Sequence, residues 1–215
     1  LFILTLQIMF VTAVHILSLM YQWRTQVTQI CKKAWIRLYQ IGKIREYLSI
    51  NETKTAINAY VTSIIDQHNS LLIGCSEYLI SKIQKVQNAA AKVIYKAKKH
   101  DHVTNLLQEL HWLPIIQRIK FKILVMTYKA MNNETAPYIK DLLKPYIPAR
   151  TLRSANEMLL EIPKTKFKSY GDRAFSTVAP KLWNNLPIDL RNCPTTTSFK
   201  ANLKTHLFKI VYTNI

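Results

Sequence analysis

The chain has 215 residues, 49% of them hydrophobic, which is enough to bury a core in one domain or in two small ones. Its 30 lysines and arginines, against 12 aspartates and glutamates, give a formal net charge of +18 and favour a polyanionic partner, either nucleic acid or an anionic membrane surface. Only 3 glycines argue against a glycine-rich phosphate loop, and 3 widely spaced cysteines argue against a zinc site and are typical of reduced thiols.

The first 23 residues contain no charged side chain, and this run exceeds the ~20 residues that a bilayer-spanning helix needs. Arg24, Lys32 and Lys33 follow, so a span would place the remainder in the cytosol. The alternative is a buried segment or a spurious start. Residues 1–24 are therefore assigned to an apolar N-terminal segment, and both interpretations stay open.

Three amphipathic helices are predicted in the next region, residues 25–99. The first is predicted within residues 27–48, and it ends near Gly42. Ser49 and Glu52 form a capping box that starts the second, which runs to about Leu72. The third runs from about Glu77 to Lys99. The residues predicted to face inward are Ile30, Ala34, Leu38, Ile41, Ile57, Val61, Ile64, Ile65, Leu72, Leu79, Ile83, Val86, Ala90, Val93 and Ile94.

The third helix carries five lysines on the side opposite its apolar residues: Lys82, Lys85, Lys92, Lys96 and Lys99. No acidic residue interrupts them, although solvated helices tend to mix charges of both signs. We therefore predict that this face binds nucleic-acid phosphates, with a plain solvated face as the alternative.

Residues 100–215 form the third region, which begins with a short helix stopped by Pro114 and a largely apolar helix at 115–131. His100, Asp101 and His102 suggest a metal site, but no fourth ligand stands at a recognisable spacing, so no metal site is predicted. Prolines then break the chain into short pieces. A short β-hairpin is predicted near residues 157–168, and a last helix at 198–208. The fold class is therefore mainly α.

The sequence contains no GxSxG, HExxH or P-loop motif and no pair of carboxylates at a catalytic spacing. Residues alone thus predict a basic, helical and non-catalytic polypeptide.

The stretch SYGDRAFSTVAPKLWNNLP, residues 169–187, resembles the C-terminal part of polyproteins from non-LTR retrotransposons of the LINE-type, jockey-like class. Seven other pieces follow the order and spacing of that family: IGKIREYL, NSLL, IQKVQNAAAKVI, LHWLPIIQRIKFKILVMTYKAM, APYIKDLL, LRSANEMLLEIPKTK and SFKANLKTHLF. The resemblance extends from about Val27 to Phe208.

This resemblance implies that residues 25–99 correspond to the thumb, and residues 100–215 to the C-terminal extension, of an RNA-directed DNA polymerase. The family's palm domain, with its Tyr-Ala-Asp-Asp signature and bound Mg²⁺, lies upstream and has no counterpart in this chain. No catalytic residue, no metal site and no cofactor are therefore expected in this chain. The expected partners are RNA or DNA and a polymerase chain that contains a palm.

Within residues 169–187, Gly171 is predicted to permit a sharp turn and Asp172 to cap the following helix. Phe175, Val178, Leu182 and Trp183 are predicted to be core. Further phosphate contacts are predicted at Arg118, Lys122, Arg150, Arg153, Lys164, Lys166, Lys168 and Arg173, with a structural salt bridge as the alternative for Arg173.

Two functions from different classes follow. The first is a non-catalytic retrotransposon polymerase fragment that binds nucleic-acid backbone in the nucleus or cytoplasm with low sequence specificity, since lysine contacts a phosphate as a point charge. The second is a single-pass membrane protein with a basic, helical cytosolic domain. A polymerase active in this chain alone is a third hypothesis, which the missing palm argues against.

Overall fold

The computed structural model describes residues 2–98, 100–148, 158–165 and 171–213, with side chains from residue 22 onward. The described part of the chain is mainly helical, which confirms the predicted class. It divides into two compact units, Leu1–Ile115 and Ile116–Ile215. The helices are α1 (Phe2–Ile44), α2 (Ile50–Ile57), α3 (Ser63–Asp66), α4 (Glu77–Tyr95), α5 (Val103–Glu109), α6 (Ile115–Met131), α7 (Pro137–Lys140), α8 (Phe175–Asn184), α9 (Ile188–Arg191) and α10 (Thr196–Tyr212).

Helix α1 is continuous through the junction between the apolar N-terminal run and the first predicted amphipathic helix. Among the residues whose side chains are described, no helix is both long and apolar enough to cross a membrane. The side chains of residues 1–21 lie outside that part, so the membrane span stays a prediction.

The predicted second helix begins as expected but is interrupted. The capping box is confirmed, because the Ser49 hydroxyl accepts a bond from the Glu52 backbone N–H (3.3 Å) and the Glu52 carboxylate accepts one from the Ser49 N–H (2.8 Å). A π-helical stretch at Asn58–Thr62 separates α2 from α3. His68 then adopts a left-handed backbone (φ 54°), and only a 3₁₀ turn, Asn69–Leu72, follows.

Helix α4 ends at Tyr95, four residues before the predicted end. Lys96 takes a left-handed conformation (φ 52°) there, and the Ala97 N–H bonds the Lys92 carbonyl (3.0 Å), which closes the helix. The buried guanidinium of Arg45 donates to the carbonyls of Val93 (2.9 Å) and Ile94 (2.6 Å). Its positive charge therefore stabilises the negative end of the α4 dipole.

The segment after α4 belongs to the first unit. Gln87 of α4 donates its side-chain amide to the Leu113 carbonyl (2.9 Å), and the Gln84 side chain accepts from the Ile115 N–H (2.9 Å). These bonds attach residues 113–115 to α4. The unit boundary thus falls after Ile115, whereas the sequence placed it after residue 99.

The core of the second unit is built around three aromatic side chains. Tyr128 of α6 stacks on Phe199 of α10, with ring centroids 4.3 Å apart, and Trp183 of α8 packs on both rings. The Trp183 indole N–H donates to the Met158 carbonyl (2.8 Å). Of the predicted core residues in α8, Val178 and Trp183 are buried, while Phe175 and Leu182 are half-buried.

At the start of the SYGDRAF stretch, Gly171 begins a 3₁₀ turn, Gly171–Arg173, whereas the predicted cap at Asp172 is wrong. Gly171 is required by space, because a Cβ at this position would lie 2.6 Å from the Cβ of Thr165. Asp172 does not cap α8, whose N-cap is Ala174. The Asp172 carboxylate instead accepts a bond from the Thr165 hydroxyl (3.0 Å) and pairs with the Lys181 ammonium (3.1 Å).

Residues 158–165 contain no strand; Leu160 forms one antiparallel bridge with Pro145. The Tyr146 N–H donates to the Leu159 carbonyl (2.9 Å), and the Asn184 side chain bonds both backbone groups of Leu160. The second arm of the predicted hairpin, residues 166–168, lies outside the described residues. The hairpin therefore stays a prediction.

Candidate nucleic-acid interface

A groove bordered by three lysines, with a mainly apolar wall, lies between α1 and α4 in the first unit. Its volume is about 430 Å³, and it is lined by Thr28, Cys31, Lys32, Trp35, Lys82 and Lys85. Two of the predicted phosphate contacts, Lys82 and Lys85, thus share one concave surface with a lysine and a tryptophan of α1.

The groove exists because α1 and α4 run side by side in the same direction. The charge of Arg24 acts on Tyr78, that of Lys82 on Cys31, and Arg45 bonds the carbonyls of Val93 and Ile94. The residue numbers of the contacting pairs therefore increase in the same direction along both helices. Because residues three and four positions apart share one side of a helix, α1 has a buried stripe and, next to it, an exposed stripe. The buried residues are Val27, Ala34, Leu38 and Ile41.

The exposed stripe of α1 has two aromatic rings between two cations, at steps of three and four residues. It consists of Lys32, Trp35, Tyr39 and Lys43, which lie on one side of the helix. Trp35 is 45% exposed and Tyr39 is 65% exposed. The Lys43 ammonium lies 5.0 Å from the centre of the Tyr39 ring. Basic residues with aromatic rings between them are typical of surfaces that bind nucleic acid.

Lys82 is fixed in position by Tyr78, four residues earlier on α4. Its ammonium lies 4.6 Å from the centre of the Tyr78 ring. A hydrogen bond from Lys82, followed by the positive charges of Lys82, Arg24 and Lys85, lowers the pKa of the Tyr78 phenol. Burial raises the pKa of the Cys31 thiol, and the charge of Lys82 opposes that effect. The charge of Lys82 therefore acts on both Cys31 of α1 and Tyr78 of α4.

The other predicted lysines of this region do not line the groove. Lys92 lies on α4 seven residues beyond Lys85, and its side chain is half-buried. Lys96 lies past the end of α4 in a left-handed conformation, so it does not continue the helical stripe. Lys99 lies outside the described residues.

The predicted basic residues of the second unit are only partly described. Arg118 and Lys122 lie one turn apart on α6 and are half-buried, Arg173 is half-buried, and Lys164 is exposed. The remaining four lie outside the described residues: Arg150, Arg153, Lys166 and Lys168.

Sequence reasoning did not include Lys32 and Trp35 in the site. The sequence does contain a pattern that groups them, since Thr28, Lys32 and Trp35 lie at steps of four and three residues beside the buried stripe of α1. The sequence alone could not show that this flank of α1 lies against the lysines of α4.

The part of the chain that the structure describes offers few other candidate binding sites. It contains no cluster of three or more His, Cys, Asp or Glu side chains that could hold a metal ion. A second cavity of about 250 Å³ is lined by residues that include Trp23, Ile30, His68 and Leu71, with no lysine or arginine among them. It therefore lacks the charge needed to bind a polyanion.

Comparison of the chain with protein-family models, with curated proteins and with solved structures found no match.

Proposed function

We propose that this chain binds nucleic acid through the phosphate backbone, with the groove between α1 and α4 as its contact surface. The observation that carries this proposal is the convergence of Lys32, Lys82 and Lys85 on one groove beside the exposed Trp35. Three lysines that border one groove can neutralise neighbouring phosphates and release their counterions. Lysine reads no base edge by itself, so binding is of low sequence specificity.

We further propose, from the resemblance described above, that the chain is a non-catalytic C-terminal fragment of a retrotransposon RNA-directed DNA polymerase. Residues 25–99 would then correspond to a thumb-like helical bundle, and residues 100–215 to the extension beyond the thumb, with its hairpin near residues 157–168. A chain containing a palm would supply the polymerase chemistry. Arg118, Lys122, Lys164 and Arg173 of the second unit would add further phosphate contacts.

The test of backbone binding is a titration of the full chain against single-stranded RNA, duplex DNA and an RNA–DNA hybrid over a range of salt concentrations. We expect the logarithm of the affinity to fall linearly with the logarithm of the salt concentration. Replacing Lys32, Lys82 and Lys85 together by Gln should weaken binding and reduce the magnitude of that slope by about 2 to 3, since each phosphate contact contributes ~0.7 to 0.9.

A matched control is the triple Gln variant of Lys33, Lys54 and Lys98, which removes the same charge from residues of the first unit that do not line the groove. An equal loss in both variants would show that overall charge, and not the groove, governs binding. The absence of binding at low salt would contradict the proposal. Tighter binding to phosphatidylserine vesicles than to any nucleic acid would favour the membrane-protein alternative.

A further inference from the structure

We propose that the groove between α1 and α4 binds a single strand, with one base stacked on the Trp35 indole and the adjoining phosphates on Lys32, Lys82 and Lys85. This inference rests on the proposed function and adds to it the strandedness of the ligand.

The first argument is the position of Trp35. Its side chain is 45% exposed, although indole is a large apolar group whose burial would stabilise the fold. It lines the groove together with the side chains of Lys32, Lys82 and Lys85. An exposed aromatic face among cations is the arrangement by which proteins hold single strands, where bases stack on rings and phosphates meet the cations.

The second argument excludes a duplex as the ligand of the indole. In a double helix each base is stacked between its neighbours, so a protein reaches only base edges and phosphates. A single strand presents unstacked bases that can lie flat on an aromatic ring. The lysines of the groove can contact either form, whereas the indole gains contact area from the single strand only.

The third argument concerns the neighbouring rings. Tyr39 follows Trp35 by one helical turn, ~6 Å along the axis, so a strand that lies along α1 passes both rings. The Lys43 ammonium lies over the Tyr39 ring and the Lys82 ammonium over the Tyr78 ring. Each tyrosine thus already presents one face to a cation. Trp35 is therefore the ring that we assign to a base.

The experiment measures the affinity of the full chain for an oligothymidylate of about 12 nucleotides, within the ~4–16 nucleotides typical of single-strand sites, and for its duplex with oligoadenylate. Trp35→Ala should weaken single-strand binding by about 5- to 100-fold and leave duplex binding unchanged. Trp35→Phe should retain a large part of the affinity because it keeps a ring. Tyr60→Ala, which removes a 58% exposed ring of the π-helical stretch, is the matched control and should change neither affinity.

Tryptophan fluorescence supplies a second readout. Of the four tryptophans, Trp112 and Trp183 are buried, at 7% and 1% exposure, and the half-buried Trp23 lines the second cavity, whereas Trp35 lies in the groove. Stacking of thymine on Trp35 should quench its emission, so the quenching on addition of oligothymidylate should disappear in Trp35→Phe.

The two proposals fail in different ways. If the duplex binds at least as tightly as the single strand and Trp35→Ala changes neither affinity, stacking is wrong and backbone binding stands. If neither oligonucleotide binds at low salt, the proposed function is wrong as well. If quenching persists in Trp35→Phe, the base lies elsewhere and the assignment to Trp35 is overturned.

Discussion

In the first unit large aromatic side chains such as Trp35 and Tyr78 are exposed on long helices, and the described core is mostly aliphatic. In the second unit the aromatic rings of Tyr128, Trp183 and Phe199 lie in the core, in contact with one another. The difference lies in the side chains that neighbouring helices present to each other. In the first unit the buried stripes of α1 and α4 carry aliphatic side chains such as Leu38 and Ile83. In the second unit the ring of Tyr128 on α6 stacks on that of Phe199 on α10, and Trp183 of α8 packs on both.

The largest expected effect tests this contrast directly. Trp183→Ala should lower the free energy of unfolding of the second unit by about 3–5 kcal/mol, because it leaves a cavity beside Tyr128 and Phe199 and removes the bond to Met158. Trp35→Ala should change stability by less than about 0.5 kcal/mol, since surface substitutions are nearly neutral. Denaturant unfolding, followed by circular dichroism, measures both. Similar losses in the two variants would contradict the contrast.

The second prediction concerns the contact between Arg45 and the C-terminal end of α4 in the first unit. Arg45→Met should cost about 1.5–3 kcal/mol, because it removes charged hydrogen bonds to the Val93 and Ile94 carbonyls. Arg37→Met, which removes an exposed arginine of α1, is the matched control and should be nearly neutral. Amide hydrogen exchange should show faster exchange in the last turn of α4 in the Arg45 variant only. Unchanged protection there would argue against a capping role.

The third prediction returns to the SYGDRAF stretch of the second unit. Gly171→Ala should cost about 1–3 kcal/mol, because its Cβ would overlap the Thr165 side chain. Thr165→Gly removes the opposing atoms, so the second substitution should cost less in the Gly171→Ala background than in the parent chain. Thermal unfolding of the four proteins in this cycle measures the coupling. Additive effects would show that the contact is not the reason for glycine.

The fourth prediction is a pH dependence of the second unit. Burial, with lesser effects of Cys193 and Glu134, raises the pKa of the Tyr128 phenol, whose O–H donates to the Cys193 carbonyl (2.5 Å). As pH rises past the ordinary value of about 10, the unfolded chain loses this proton first. Stability is therefore fully present below that value and is lost as pH rises toward the folded pKa. Denaturant unfolding from pH 8 to 11 should show this fall.

The control for this dependence is Tyr128→Phe, which should cost about 0.5–1.5 kcal/mol at neutral pH for the lost hydrogen bond. Its stability should fall less steeply than that of the parent chain above pH 10. An identical fall in both proteins would assign the pH dependence to other groups.

The smallest expected effect concerns the first unit and is a gain in stability, whereas the preceding variants lose stability. Lys96→Gly should stabilise the chain by about 0.5–1 kcal/mol, because Lys96 occupies a left-handed conformation (φ 52°) that glycine adopts without strain. Lys96→Ala keeps the Cβ and should give no such gain. Thermal unfolding distinguishes them. The same glycine variant should leave nucleic-acid affinity nearly unchanged, since Lys96 does not line the groove.

Most of the helical core could be predicted from the sequence, because apolar periodicity is a local property. Ala34, Leu38, Ile57 and Ile83 were all expected inside and are buried. The interruption of the second helix and the early end of α4 could not be predicted, because neither the π-helical stretch at Asn58–Thr62 nor the left-handed conformation of Lys96 has a signal in the local sequence. The lysine stripe was likewise only partly predictable, because its prediction assumed a helix that continues to Lys99, whereas α4 ends at Tyr95.

The sequence by itself determined the basic charge, the mainly helical class, the capping box at Ser49 and the inward faces of the long helices, since all of these depend on composition or on residues within a few positions of one another. Only the tertiary structure decided that Lys32 and Trp35 of α1 share a groove with Lys82 and Lys85 of α4. The physical reason is that a groove between helices depends on their direction and register. Both are set by packing between residues some 50 positions apart, such as Arg45 and Val93.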